Sequence, residues 1–218
     1  MTTALIPVKK LTESKSRLLS RLADETRQAL TLAMLEDLID ALASAAKIDR
    51  IAVTTPDETV AMRARAAGAE ILMRPEPGLN AALEDGRARL VPNGDADLLF
   101  VLGDVAGALA HDFDALLSAG AEEEPSVWLA PSSDGGTSAL LHRPAGIIPC
   151  CFGRDSAKRH YEAAEAAGIS AHEIVLNSLA IDLDQPEDLQ AFLATEGGGR
   201  RTRALLREAD ALGEEGKD

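Results

Sequence analysis

The chain carries its chemistry in cations and carboxylates placed at the ends of apolar runs. In ALIPVKKLTESKSRL, Ala4 to Leu18, a strand-like stretch ends in Lys9 and Lys10 and leads into Lys15, Arg17 and Arg21. Ligands of an open α/β sheet sit in the crevice beyond the carboxyl ends of its strands. Cations at the end of a first strand therefore suit an anion, and a polyphosphate is the expected one. The competing reading is a solvated face of a first helix, expected to begin near Leu11.

Carboxylates recur in the same setting. Asp104 closes LLFVLGD, next to Gly103, while IDLDQPEDL brings Asp182 and Asp184 to the end of a further apolar run. Magnesium typically takes one or two protein carboxylates and completes its shell with phosphate oxygens and water. Each aspartate also has a plain structural reading. Asp104 would cap the next helix, and Asp184 with Glu187 resembles a capping box, with Pro186 in the first turn.

Three further stretches could receive an anion or a base. DGGTSAL, Asp134 to Leu140, allows backbone amides to approach a ligand, although Asp-Gly is foremost a hairpin turn pair. FGRDSAKRH, Phe152 to His160, opens a helix with Asp155 or Ser156 as N-cap, and free amides there attract carboxylate or phosphate. His160, one turn beyond Ser156, reads first as a packing or surface residue. PGLNAAL, Pro77 to Leu83, turns into a helix, with Asn80 as N-cap or as an amide that reads a base.

The elements that must position these groups alternate regularly. Strands are expected at Ala4–Val8, Ile51–Thr55, Glu70–Met73, Asp97–Leu102, Ser126–Ala130, Ser138–Leu141 and Glu173–Leu176. Helices are expected over Glu25–Ala46, Asp57–Ala67, from Asn80, Arg154–Ala167 and Pro186–Thr195. This βα alternation implies a mostly parallel sheet covered on both faces. Gly197–Gly199 reads as a linker. It divides a domain spanning 1–196 from a charged tail, 200–218, expected as a mobile helix or disordered, either solvated or pairing two subunits as a homodimer.

Composition narrows the class. With 218 residues, 46% of them hydrophobic, the chain can bury one sizeable core. A net charge of −14 and 3% aromatic residues argue against broad nucleic-acid or anionic-membrane binding. The only cysteines, Cys150 and Cys151, are adjacent and lack an activating cation, so a buried structural role in a reducing, cytoplasmic setting is expected. No run is long enough to span a bilayer.

Together, IPVKKLTESKSRL, PGLNAAL, the Asp104 strand end, DGGTSAL, FGRDSAKRH and IDLDQPEDL resemble, in this order, the 2-phospho-L-lactate guanylyltransferase family, phosphoenolpyruvate and 3-phosphoglycerate variants included. The resemblance runs from Thr3 to Leu193. It implies a Rossmann-like nucleotidyltransferase fold, a GT-A-like three-layer sandwich with a mostly parallel mixed sheet. It also implies transfer of GMP from GTP to a three-carbon phosphoacid during synthesis of a deazaflavin coenzyme. By the same resemblance Lys9, Lys15 and Arg17 contact the triphosphate, and Leu79 and Asn80 lie near guanine. Asp104 with Asp182 or Asp184 holds Mg2+. Thr137, Gly153 and Ser156 receive the acceptor. The catalytic set would be Lys15, Asp104 and Asp184.

The chain departs from the family pattern twice. Val105-Ala106-Gly107-Ala108 follows Asp104 where a proline turn is usual, so a looser loop is expected. Ser138 stands where asparagine is common. Two other readings remain. A same-fold nucleotidyltransferase acting on a sugar phosphate or molybdopterin would usually carry a glycine-rich loop, which IPVKKL lacks. A non-catalytic nucleotide-binding homologue would draw on the altered Asp104 loop.

Overall fold

The computed structural model describes residues 1–19, 21–74, 78–119, 121 and 125–215, with side chains through residue 209. Pro77 of PGLNAAL and the last three residues of the tail lie outside this set. No described helix is long and apolar enough to cross a membrane.

The first strand, β1 (Thr2–Pro7), is buried along nearly its whole length, as a central parallel strand requires. It is followed by α1 (Asp24–Ser44), β2 (Arg50–Thr55), α2 (Glu58–Ala66), β3 (Glu70–Met73), α3 (Leu79–Leu90), β4 (Asp97–Val101) and α4 (Ala110–Ser118). The second half adds β5 (Ser126–Pro131), β6 (Thr137–Arg143), α5 (Ser156–Ala167), β7 (Ser170–Glu173), α6 (Pro186–Ala194) and α7 (Arg200–Glu215). The strands form one seven-stranded sheet in the order β3-β2-β1-β4-β6-β5-β7. Only β6 runs against the others, pairing antiparallel with both β4 and β5. The sheet is thus mixed but mostly parallel, as the alternation predicts.

Side-chain alternation along the strands feeds two cores. Ala4, Ile6, Leu99 and Val101 face α1, α2 and α4, where they meet Leu38, Ile39, Val60 and Phe113. Leu5, Leu98, Phe100 and Leu140 face the other layer with Leu83 of α3 and Ala164 of α5. The second layer lies very close to the sheet. A methyl on Gly86 of α3 would stand 2.6 Å from Leu5 Cδ2.

The helix expected from Leu11 does not form. Two 3-10 turns, Leu11–Glu13 and Ser16–Leu18, flank Lys15, whose backbone is left-handed at φ 53° and ψ 37°. A carbonyl that such a helix would need is held elsewhere, and the start of the loop is tied to a later element. Asp57 Oδ2 accepts the Leu11 amide at 3.0 Å, and Arg27 Nη1 donates to the Ser14 carbonyl at 2.6 Å. Leu11 and Leu18 are buried on either side and anchor the loop. Asp57 Oδ1 also caps α2 through the amides of Thr59 and Val60, so one carboxylate ties this loop to the helix after β2.

Two other expectations shift. The extended segment placed at Glu173–Leu176 is β7 at Ser170–Glu173, and α4, unanticipated, buries Phe113, Leu116 and Leu117. Beyond Gly199, α7 starts against α1. Asp37 of α1 accepts the amides of Arg201 and Thr202, at 3.1 and 2.8 Å, and the Thr202 hydroxyl at 2.9 Å. Arg203 lies over the Phe192 ring of α6, 4.1 Å from its centroid.

Candidate active site

The chain adds β2 and β3 on one side of β1, then returns to place β4 on the other. The carboxyl ends of β1 and β4 therefore diverge at a topological switch point, where α/β sheets bind ligands. A cavity of about 550 Å³ opens there, lined by Val8, Lys9, Lys10, Lys15, Thr54, Thr55, Arg74, Gly78, Leu79, Gly103, Asp104 and Asp184 among others. Gly103 allows the two strand ends to converge: a Cβ would sit 3.0 Å from the Pro7 carbonyl oxygen and 3.2 Å from Val8 Cγ2.

Lys15 is the hub of this rim. Its ammonium is 3.2 Å from Asp104 Oδ2 and 3.3 Å from Asp184 Oδ1, and Arg17 Nη1 reaches Asp184 Oδ2 at 3.0 Å. Asp184 is free to meet these cations because it does not cap α6. Gln185 and Asp188 form the capping box instead of Asp184 and Glu187, and Asp188 Oδ2 accepts the amides of Asp184 and Gln185 at 3.0 and 2.6 Å. The box is displaced by one residue, which turns the Asp184 carboxylate away from the helix start.

Asp182 belongs to the same cluster. Its backbone forms a bridge to Val105, the residue after Asp104. Burial first, then the Asp104 and Asp134 carboxylates, push its carboxyl up to about 6. Asp104 Oδ1 is buried without a hydrogen-bond partner among the described residues. Crowded carboxylates with an unsatisfied oxygen fit a divalent cation. No three His, Cys, Asp or Glu groups among the described residues converge as a metal cage. A divalent cation here would take one or two of these carboxylates and complete its shell with other ligands.

The loop after Asp104 is not loosened by its missing proline. Val105, Ala106 and Ala108 are buried, Val105 is bridged to Asp182, and the Gly107 carbonyl accepts the Gly198 amide at 3.2 Å. Packing and pairing supply the restraint that a proline ring would give.

The remaining expected site residues divide. Leu79 and Lys9 line the cavity. Asn80 does not cap α3, where Gly78 takes that position. Its Nδ2 donates to the Phe152 carbonyl at 3.1 Å and its Oδ1 accepts the Phe152 amide at 2.8 Å. DGGTSAL is the expected hairpin turn between β5 and β6, with Asp134 Oδ1 accepting the Gly136 amide at 2.9 Å. Thr137 and Ser156 are buried and do not line the cavity, their hydroxyl oxygens 3.1 Å apart. Gly153 is exposed, at φ 118°, and its carbonyl accepts the Ser156 amide at 3.1 Å. His160 is fully buried with Nδ1 3.1 Å from Thr137 Oγ1. Arg74 is a cavity cation that sequence reasoning missed. It stands directly after β3, the signal that marks Lys9 after β1.

Residues 2–212 match the model of the family described as "Guanylyl transferase CofC like". A phosphoenolpyruvate guanylyltransferase of Sphaerobacter thermophilus is 37% identical over 190 residues, 87% of this chain and 91% of that protein. A 3-phospho-D-glycerate guanylyltransferase of Phenylobacterium zucineum is 38% identical over 212 residues, covering 95% and 96%. Among solved structures, CMP:2-keto-3-deoxy-manno-octonic acid synthetase complexed with CTP superimposes with a TM-score of 0.62 at 14% identity, covering 95% of this chain and 98% of that one. The 4-diphosphocytidyl-2C-methyl-D-erythritol synthase structure gives 0.60 at 15% identity, covering 94% and 97%. These likenesses establish a nucleotidyltransferase sheet.

Proposed function

The chain belongs to the CofC-like guanylyl transferase family, and from that premise we propose that it transfers GMP from GTP to the phosphate of a three-carbon phosphoacid, releasing pyrophosphate. The acceptor class is phosphoenolpyruvate, 3-phosphoglycerate or 2-phospho-L-lactate, and the product would enter synthesis of the deazaflavin coenzyme F-420 that the family implies. The observation that carries this reading is the pairing of Lys15 with both Asp104 and Asp184 at the rim of the switch-point cavity.

The chemistry asks little of a general base. An acceptor phosphate is already anionic at neutral pH, so the protein must hold two anions together and stabilise charge as the α-phosphate is attacked. Lys9, Lys10, Lys15, Arg17 and Arg74 supply that positive field at the strand ends of an acidic protein. Leu79, at the first turn of α3, offers an apolar surface for the base. Asp104, with Asp182 or Asp184, would hold Mg2+. When bound, the ion supplies charge neutralisation at the phosphates. Lys15 keeps both carboxylates turned to the cavity before any ligand arrives. Thr137, Gly153 and Ser156, with the first turn of α5, would receive the acceptor, as the family resemblance implies.

Pyrophosphate release from GTP with magnesium tests the reading, with phosphoenolpyruvate, 3-phosphoglycerate and 2-phospho-L-lactate supplied separately. Release that depends on one of these acids supports it and names the acceptor. GTP binding with no release on any of the three would sink it.

A further inference from the structure

We propose that His160 sets the hydrogen-bond polarity of the Thr137–Ser156 hydroxyl pair, making it a net donor toward an anionic group of the acceptor. This deepens, and rests on, the guanylyl-transfer reading above. It follows from counting protons. The Cys151 backbone N–H can only donate, and it lies 2.9 Å from His160 Nε2, so Nε2 carries the lone pair. A neutral imidazole then has its single hydrogen on Nδ1, aimed at Thr137 Oγ1 3.1 Å away. Burial, and next the Arg159 guanidinium, hold the ring down at about 4, so it is neutral at pH 7.

Thr137 and Ser156 own two hydroxyl hydrogens, and their mutual bond uses one. Thr137 already receives the imidazole hydrogen, so the second has no acceptor within the triad, whichever way the mutual bond runs. Neither hydroxyl has another hydrogen-bond partner among the described residues. One O–H therefore finds no acceptor among the described residues and is left for a group from outside the triad. With the opposite tautomer, Thr137 would donate to Nδ1 and Ser156 to Thr137, and no hydrogen would remain.

The placement suits the acceptor. The Ser138 carbonyl accepts the Leu102 amide at 3.0 Å, which sets Thr137 beside the strand end that carries Asp104. A free O–H next to the first turn of α5 favours a carboxylate or phosphate oxygen. His160 touches no substrate in this scheme. It is a positioning residue, and the Cys151 amide fixes its tautomer.

The test joins a spectroscopic readout to two substitutions. Two-bond proton–nitrogen correlation spectra of the unsubstituted protein should show His160 as the Nδ1–H tautomer, and an Nε2–H tautomer would overturn the proposal. In His160→Asn the side-chain amide can still donate to Thr137 but cannot reach the Cys151 amide. In His160→Gln the longer side chain accepts from Cys151 and leaves Thr137 without its incoming hydrogen. Steady-state rates with GTP and, separately, phosphoenolpyruvate, 3-phosphoglycerate and 2-phospho-L-lactate should show KM for the used acceptor raised about ten-fold or more in the Gln variant, with KM for GTP unchanged. The Asn variant should stay within about three-fold of the unsubstituted enzyme. Equal behaviour of the two variants, or loss confined to Asn, would overturn it. An unsubstituted enzyme without acceptor-dependent turnover would overturn guanylyl transfer, while the tautomer would still decide the hydrogen-bond assignment.

Discussion

Lys15 Nζ lies 3.2 Å from Asp104 Oδ2 although 89 residues separate the two in the chain, and the lysine side chain is only 6% exposed. Such a buried ammonium needs its partners, because an unpaired charge at that depth costs several kcal/mol. The pair therefore orders the loop after β1 and the end of β4 together. Its left-handed backbone, uncommon for a residue with a Cβ, costs on the order of 1 kcal/mol and persists because Leu11, Leu18 and Arg27 hold the flanking turns.

Asp104→Asn keeps the side-chain shape and removes its charge. We expect kcat to fall by about two to three orders of magnitude, the scale of losing one preorganised electrostatic group. Pyrophosphate release at saturating GTP measures this, and circular dichroism should be unaltered. A rate within a few-fold of the starting enzyme would remove Asp104 from the chemistry.

Lys15→Met retains bulk and deletes the ammonium that Asp104 and Asp184 share. The expected result is kcat/KM for GTP lowered about a hundred-fold or more. Unfolding free energy should fall by about 1–3 kcal/mol as the carboxylates lose their partner. Urea titration and initial rates report the two effects separately. Unchanged kinetics with a lowered midpoint would make Lys15 structural only.

His142 predicts acid sensitivity. It is fully buried, neither ring nitrogen has a hydrogen-bond partner among the described residues, and Phe100 packs edge-on against it with centroids 5.0 Å apart. Burial first, then neighbouring His160, hold its pKa down to about 3, against an ordinary 6.5. Because the folded value is the lower one, the unfolded chain binds the extra proton between these limits. Stability is complete above pH 6.5 and drains away as pH falls toward 3, by up to about 1.4 kcal/mol per pH unit. His142→Leu should flatten that slope in denaturant titrations at stepped pH, leaving the share due to His160. An unaltered slope would count against the assignment.

Asp37→Ala should unfasten α7. Four donors from Arg201 and Thr202, two backbone amides, the Thr202 hydroxyl and the Arg201 guanidinium, lose their acceptor, at an expected cost of about 2–4 kcal/mol. The anchor lies away from the cavity, so rates at temperatures well below the melting point should stay within about two-fold, while the midpoint of thermal unfolding drops by several degrees. A midpoint that does not move would mean that α7 contributes little to the fold.

The sheet was legible because its strands are continuous apolar runs punctuated by charge. Asp97–Val101 ending near Asp104 is the clearest example. The Lys9–Arg17 cluster was legible as an anion site, but its local shape was not. Nothing in KLTESKSRL announces that Arg27, from a later element, takes the Ser14 carbonyl a helix would use, or that Asp57 ties down the Leu11 amide. The capping box slipped by one residue because Glu187 and Asp188 are chemically equivalent as caps, and only packing chooses between them. Buried, hydrogen-bonded polar residues were the least legible. Thr137, Ser156 and His160 come from separate segments, and no periodicity links them. For α4 the signal was present and missed: Phe113, Leu116 and Leu117 fall on one helical stripe.

Gly86 leaves no gap between α3 and β1, and that closeness limits how the enzyme can be re-engineered. The helix whose first turn presents Leu79 rests on Leu5 with no room for even one added methyl. Its backbone therefore cannot settle inward to welcome a smaller base, nor be padded outward from that side without displacing the core. Attempts to change which nucleotide is accepted should work through side-chain replacement at Leu79 and its neighbours, while any side chain at Gly86 must displace that of Leu5.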